Sequence, residues 1–355
     1  MVVDDSSFIR GFYSKIFGSE EDVEVAMAVG SAEEAINVLS RKEPEKYDVD
    51  VIILDVNMEG MSGIEALPKI LKLSDAKVIM SSSTTASGAK ETVEALKIGA
   101  ADYVQKPSSE TDTQDLKSFV AELILKVREL GRTTPVIKKG EGTSKTKSAQ
   151  KFELHKGIIA KRPNVIAIGS STGGPQALIT LFKDLKDKKF LVPVLITQHM
   201  PANFTTQLAK QISEVSGHEC REGVDGEKVE AGRIYMAPGD YHMVAEKKDD
   251  DVFIKLNQDQ PENFCRPAVD PMLRSLVEIY GDRILVLILT GMGEDGFRGS
   301  EKVIEKGGIV IAQDEPTSVV WGMPGAVAKR GLCSKVEPLA KLAETLKDIS
   351  LGQIQ

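Results

Sequence analysis

Residues 165–176 read VIAIGSSTGGPQ, four apolar residues of strand character running into a turn of G-x-S-x-G form, Gly169-Ser170-Ser171-Thr172-Gly173. A strand that breaks sharply into a helix lifts the central side chain clear of the sheet, and small flanking residues let a substrate carbonyl approach the backbone. Ser171 is therefore placed as an exposed nucleophile for acyl transfer. Two phosphate-cradling motifs compete for the same glycines, and both fail. A P-loop needs Lys and then Ser or Thr after Gly174, where Pro175 and Gln176 stand, and a dinucleotide fingerprint needs glycine in place of Ser171. Anion binding by the turn is the weaker alternative.

Working outward, residues 191–198 (LVPVLITQ) form another strand-like run, followed at once by His199. Residues 284–289 (ILVLIL) form a third, followed by Thr290-Gly291-Met292-Gly293-Glu294-Asp295-Gly296. Ligands collect at the carboxyl ends of parallel strands, so these polar groups are expected to converge although they are far apart in sequence. A serine hydroxyl is a weak nucleophile until an imidazole takes its proton, and a carboxylate on the far ring nitrogen fixes the tautomer and stabilises the imidazolium. Ser171, His199 and Asp295 suit those three parts. Their order along the chain differs from that of α/β-hydrolases, chymotrypsin and subtilisin, so those folds are poor templates. Taken singly, each residue has an ordinary explanation: Ser171 as a helix N-cap, His199 as a hydrogen-bonded loop residue, Asp295 as a turn former. Of the other histidines, His242 is the most suitable substitute base.

The first third of the chain is built differently. Asp4 and Asp5 follow a short apolar run, and an amphipathic helix comes next with Phe8, Ile9, Phe12, Tyr13, Ile16 and Phe17 at its apolar positions. Residues 51–54 (VIIL) end in Asp55, 78–80 lead to Ser81-Ser82, and 103–105 lead to Lys106-Pro107. Ser31 with Glu34 three residues on is a capping-box pattern. Alternating strands and helices imply a parallel sheet. Three carboxylates at one sheet edge repel unless a cation joins them, and an all-oxygen site suits Mg²⁺. Asp55 is then a candidate phosphoryl acceptor, with Lys106 and the Ser82 hydroxyl pairing the new oxygens.

Together the two halves resemble the chemotaxis-type protein-glutamate methylesterases, the CheB family, in which a response-regulator receiver precedes a serine-esterase domain. The carriers are VVDDS, LDVNMEGMSG, VIMSSS and DYVQKP in the first half, then AIGSSTGGPQA, ITQHMP, RPAVD and LTGMGEDG. The resemblance implies an α/β chain of two doubly wound parallel-sheet domains: a flavodoxin-like receiver over residues 1–130 and a Rossmann-like α/β methylesterase domain over 158–355. It implies Mg²⁺ held by Asp4, Asp5, Asp55 and the Asn57 carbonyl, phosphorylation of Asp55, and switching through Ser82, Tyr103 and Lys106. No cofactor is implied for the second domain, where Thr172 matches a residue that orients the histidine and the Met292 backbone N–H an oxyanion donor. The implied substrates are methylated glutamates, and glutamines, on methyl-accepting chemotaxis receptors, and the implied phosphoryl donor is a histidine kinase.

Two positions depart from the family pattern. Met1 stands almost on top of the acids, which predicts a shortened first strand or a trimmed start, and Glu59 replaces the usual proline, which frees the loop after Asp55. Residues 131–157 are too polar to bury anything and read as a flexible linker, preceded by a final receiver helix carrying Leu116, Phe119, Val120, Leu123, Ile124 and Val127. By analogy the unphosphorylated receiver lies against the methylesterase domain and covers the Ser171 cleft until the phosphoryl charge shifts the population of interdomain arrangements.

The 355 residues, 41% of them hydrophobic, are ample for two cores. A net charge of −8 argues against a nucleic-acid partner, and no apolar run is long enough for membrane insertion. Three cysteines, Cys220, Cys265 and Cys333, have no metal-type spacing, and the odd count suits a reducing cytoplasm. Two other readings stay open: an adapter whose glycine turn holds an anion or a carboxylate, and a hydrolase of small esters or amides.

Overall fold

Short apolar runs separated by amphipathic stretches become strands and covering helices, because parallel strands can be joined only by a crossover long enough to return across the sheet. In the computed structural model, the described residues are 1–41, 49–83, 85–106, 113–131, 154–155, 162–186 and 191–351. The chain divides into two compact units, Met1–Ile137 and Lys138–Gln355. The stretch read as a linker lies almost entirely outside the described residues.

The first unit runs β1 (Val2–Val3), α1 (Ser7–Phe17), β2 (Ala28–Val29), α2 (Ala32–Ser40), β3 (Val51–Asp55), α3 (Gly63–Leu73), β4 (Lys77–Ser82), α4 (Ala86–Ile98), β5 (Asp102–Gln105) and α5 (Thr113–Gly131). Its sheet has the order β2-β1-β3-β4-β5, with every pairing parallel. That is the flavodoxin-like order, and its switch point beside β1 and β3 puts Asp4 and Asp55 at one edge. The central strand β1 has only two residues, paired with Ala28–Val29 and Ile53–Leu54. Tyr13, Ile16 and Phe17 of α1 are buried as the helical period predicts, whereas Phe8 is exposed. At α2 the Ser31 hydroxyl caps the Glu34 N–H, but the Glu34 carboxylate accepts from Gly30 rather than closing the box on Ser31. At α3 the reciprocal box between Ser62 and Glu65 is complete.

The second unit runs β6 (Val165–Ser170), α6 (Gly174–Asp184), β7 (Val194–Gln198), α7 (Phe204–Ser216), β8 (Cys220–Glu222), β9 (Ile234–Met236), β10 (His242–Lys248), β11 (Asp251–Asn257), α8 (Val269–Tyr280), β12 (Ile284–Ile288), α9 (Phe297–Glu305), β13 (Ile309–Gln313), α10 (Gly322–Lys329), β14 (Lys335–Glu337) and α11 (Leu339–Leu351). Seven strands form a parallel sheet of order β14-β13-β12-β6-β7-β9-β8, and β10 and β11 form a separate antiparallel hairpin. Strands β6, β7, β12 and β13 are buried along their whole length. A strand covered by helices on both faces has no solvent side, which is why these four read as continuous apolar runs. β7 starts only at Val194, because Pro193 has no N–H for the ladder. With β6 between β12 and β7, the loops that leave these three strands emerge side by side.

A buried cation sits inside the first unit. Lys126 of α5 is buried, with Nζ 3.3 Å from Asp102, 2.7 Å from Glu122 and 2.6 Å from the Tyr103 carbonyl. Replacing it by Lys126→Met leaves the buried Asp102 carboxylate uncompensated, a class of change that costs about 3 kcal/mol. The denaturant midpoint of the first unit's transition is expected to fall accordingly, and an unchanged midpoint would show that the pair contributes nothing.

Candidate active site

The turn after β6 is fixed by glycine sterics. Gly173 has φ 73°, and a Cβ there would stand 2.5 Å from Val319; a Cβ on Gly174 would stand 2.1 Å from the Gln198 side chain. Between them they turn the chain straight into α6. The backbone then stitches three strand ends together. Ser171 N–H donates to the Thr290 carbonyl at 3.1 Å, and His199 N–H to the Ser170 carbonyl at 3.1 Å. Gln198 completes the join: its Oε1 accepts from Ser170 Oγ at 2.6 Å, while its Nε2 donates to the carbonyls of Ser171 (2.9 Å) and His199 (3.1 Å). A Cβ on Gly291 would meet Ser171 Cβ at 2.9 Å, so the loop after β12 lies directly against the serine.

His199 Nε2 is 2.7 Å from Asp295 Oδ2. Asp295 is buried, and its carboxylate accepts four further hydrogen bonds: Val269 N–H on Oδ2 (2.6 Å), and Asp270 N–H (3.1 Å), Gly296 N–H (2.9 Å) and Asn263 Nδ2 (2.9 Å) on Oδ1. Val269 and Asp270 open α8, so the carboxylate caps a helix N-terminus, where negative charge is favoured. Burial works to raise its pKa, but His199 and the backbone donors outweigh burial and hold it below the usual carboxylate range. Asp295 therefore stays ionised and fixes the imidazole.

With Nε2 on Asp295, Nδ1 is the ring nitrogen left for proton exchange, and the Cys265 side chain also hydrogen-bonds the ring. Among the described residues no hydrogen bond joins Ser171 Oγ to the ring. Burial disfavours charge on His199, yet the Cys265 sulfur and the Asp295 carboxylate together raise its pKa to about 10. Met292 directly follows Gly291, whose added Cβ would meet Ser171, and its backbone N–H has no hydrogen-bond acceptor among the described residues. Thr172 is buried, and its carbonyl accepts from Thr290 Oγ1 at 2.9 Å. His242 stands elsewhere: it is buried, its Nδ1 accepts from Ala268 N–H at 3.2 Å and its Nε2 lies 3.2 Å from the Gln260 carbonyl. With both nitrogens engaged it anchors a loop.

At the sheet edge of the first unit, carboxylate oxygens of Asp4, Asp5 and Asp55 lie within 4.8 Å of one another, a set able to hold a cation. Burial pushes the Asp55 carboxyl up to about 6 although Lys106 opposes it from 2.9 Å. Lys106 also lies 3.0 Å from Asp4. Asn57 is exposed, and its backbone N–H bonds Asp55. The Ser82 hydroxyl turns to the Gly88 carbonyl at 3.1 Å, and the Tyr103 side chain is buried. In the loop after Asp55, Glu59 N–H donates to Asp5 at 2.9 Å, a tie that a proline there could not make.

Sequence reasoning passed over Gln198, Asn263, Cys265 and Asp270. Gln198 immediately precedes His199, Asp270 ends the RPAVD segment and Asn263 and Cys265 lie just before it, but their partners depend on how the chain between β11 and α8 folds back over the site.

Comparison with known proteins bears on both units. The family model for the CheB methylesterase matches residues 166–346, and that for the response regulator receiver domain matches residues 1–117. A protein of Paramagnetospirillum magneticum named protein-glutamate methylesterase/protein-glutamine glutaminase 1 is 46% identical over 97% of this chain and 93% of its own length. A Rhodospirillum centenum protein-glutamate methylesterase/protein-glutamine glutaminase of a group 2 operon is 45% identical over 99% of this chain and 93% of its own. The crystal structure of the Thermotoga maritima CheB methylesterase catalytic domain superposes with a TM-score of 0.51 at 40% identity, covering 53% of this chain and all of that one.

An imidazole acts as a base only when neutral, so a pKa raised from 6.5 moves the onset of activity to higher pH. The pH profile of kcat/KM for a small acetate ester is expected to rise with a midpoint above 6.5, and Cys265→Ala to move that midpoint down. Identical midpoints for the two proteins would remove Cys265 from the electrostatics of the base.

Proposed function

We propose, for a chain that belongs to the CheB methylesterase family and carries an N-terminal receiver, that it is a phosphorylation-regulated serine hydrolase removing methyl esters from glutamates of chemoreceptors. The observation that carries this reading is the meeting of three strand ends, with His199 on Asp295 and Ser171 on the neighbouring turn. In the proposed reaction Ser171 Oγ attacks the ester carbonyl carbon while His199 Nδ1 takes its proton. The oxyanion lies toward the Met292 N–H, a kind of donor worth about 3 kcal/mol of barrier. Collapse expels the methoxy oxygen, which takes the proton from the imidazolium and leaves as methanol. Water, activated by His199, then cleaves the acyl-serine and restores glutamate. A glutamine follows the same route with ammonia as leaving group, which fits the glutaminase named in the relatives.

In the receiver we assign Asp55 as the phosphoryl acceptor, a histidine kinase as donor, and Ser82, Tyr103 and Lys106 as the switch. Mg²⁺ fits Asp4, Asp5, Asp55 and the Asn57 carbonyl: a buried carboxylate pushed up to about 6 beside another acid is an incompletely neutralised site. When bound, the ion supplies positive charge opposite the phosphoryl oxygens. The reading places the chain in the cytoplasm, where receptor glutamates are methylated; no helix among the described residues is long and apolar enough to cross a membrane.

Methanol released from methylated receptor, with and without acetyl phosphate and Mg²⁺, tests the whole proposal. Ser171→Ala is expected to abolish release and labelling by a fluorophosphonate, and Asp295→Asn to lower kcat by about 10⁴-fold through the wrong tautomer. Asp55→Asn is expected to lose only the stimulation by acetyl phosphate. An adapter would ignore the fluorophosphonate in every form, and unchanged esterase activity after deletion of residues 1–130 would argue against relief of inhibition by the receiver.

A further inference from the structure

The loop that leads into α8 contains a tight hairpin that holds a phenylalanine out into solvent. Glu262 N–H donates to the Cys265 carbonyl at 3.1 Å and Cys265 N–H to the Glu262 carbonyl at 2.9 Å, so Asn263 and Phe264 are the two central residues of the turn. Both have positive φ, 52° and 64°. A two-residue turn of this kind favours Asn then Gly. Asn263 fits its place, but Phe264 occupies the position where glycine would be free of strain, and a bulky residue there is an outlier. Nor does packing offset that strain, because Phe264 is 102% exposed. Strained residues of this type cluster at functional sites.

Both neighbours of Phe264 touch the candidate active site. Asn263 Nδ2 donates to Asp295 Oδ1 at 2.9 Å and to Asp270 Oδ2 at 3.3 Å, while Cys265 faces His199. The root of the loop is held firmly. Arg266 pairs with Asp240 at 2.6 Å and donates to the carbonyls of Gln258 and Asp259 at 3.1 Å, Glu262 pairs with Arg274, and His242 holds Ala268 and Gln260. The backbone that carries the ring is therefore held in place between residues that touch the site.

Resting on the methylesterase reading above, we propose that Phe264 is a substrate-positioning residue that packs against an apolar side chain of the protein substrate flanking the target glutamate. A phenyl ring offers no hydrogen bond, so its contribution to recognition is the burial of apolar surface, and a backbone already held in place has little left to order on binding. A small ester carries no flanking side chain for the ring to meet. The effect of Phe264 therefore falls on the protein substrate, mainly in KM.

The test uses the full chain with Phe264→Gly and Phe264→Leu, measuring thermal unfolding, methanol release from methylated receptor, and hydrolysis of p-nitrophenyl acetate. Phe264→Gly removes strain and is expected to keep or raise the unfolding midpoint. Its kcat/KM on receptor is expected to fall at least 10-fold, chiefly through KM, with a loss at least five times greater than that on the acetate ester. Phe264→Leu is expected to recover much of the receptor activity. Receptor kcat/KM within twofold of wild type in Phe264→Gly, equal losses on both substrates, or a lowered midpoint would each overturn the proposal. Wild-type chain that cleaves the acetate ester but releases no methanol would instead overturn the methylesterase reading, and this proposal with it.

Discussion

The second unit is organised around one buried carboxylate. Asp295 accepts from five donors that come from four places: the loop after β7, the start of α8, its own loop and the hairpin turn before α8. The N–H groups of Val269, Asp270 and Gly296 would lose this acceptor if Asp295 were lost, and an ionised acid with fewer partners would not stay ionised at this depth. The same contacts that keep Asp295 charged therefore also fix where His199 stands. A diffuse apolar contact could not do both, because only hydrogen bonds specify direction.

Asp55 in the receiver makes a useful contrast. Both acids end parallel strands or their loops, and both are buried. Asp295 is surrounded by amide and imidazole N–H groups and is pushed below the ordinary range, whereas Asp55 has Lys106 on one side and Asp4 on the other and is pushed up to about 6. The first environment suits a carboxylate that must never react, only orient. The second leaves a carboxylate whose charge is incompletely matched. Burial is common to the two, so the donors around each acid decide its chemistry.

Much of this was legible in the sequence. Continuous apolar runs such as residues 165–168 and 284–289 could belong only to strands covered on both faces, and the parallel order that follows explains why residues far apart in the chain share one sheet edge. The α2 cap was half legible, since Ser31 does cap Glu34 but the carboxylate chose Gly30. Least legible was the segment between β11 and α8. Nothing in its period or composition says that Asn263 will reach Asp295, because that contact depends on left-handed backbone at two residues that are not glycine. The sequence ranks His199 above His242 only by its place just past a strand; the structure adds that both ring nitrogens of His242 are consumed by the loop it anchors.

The placement of Asp270 beside Asp295 needs its own explanation, since two buried acids in contact repel. Burial first, and Asp295 second, push Asp270 up to about 6, while Gly299 N–H at 2.7 Å and Asn263 at 3.3 Å act against the rise. Asp270 therefore carries the cost of the pair, and Asp295 is left ionised. In return, Asp270 joins the N-termini of α8 and α9, and its own N–H holds Asp295 Oδ1. Asn263 lies between the two acids as a donor to both, so the charge is shared through an amide rather than across a gap. The site thus tolerates a disfavoured acid one step away from the imidazole in order to hold the favoured one rigid against it.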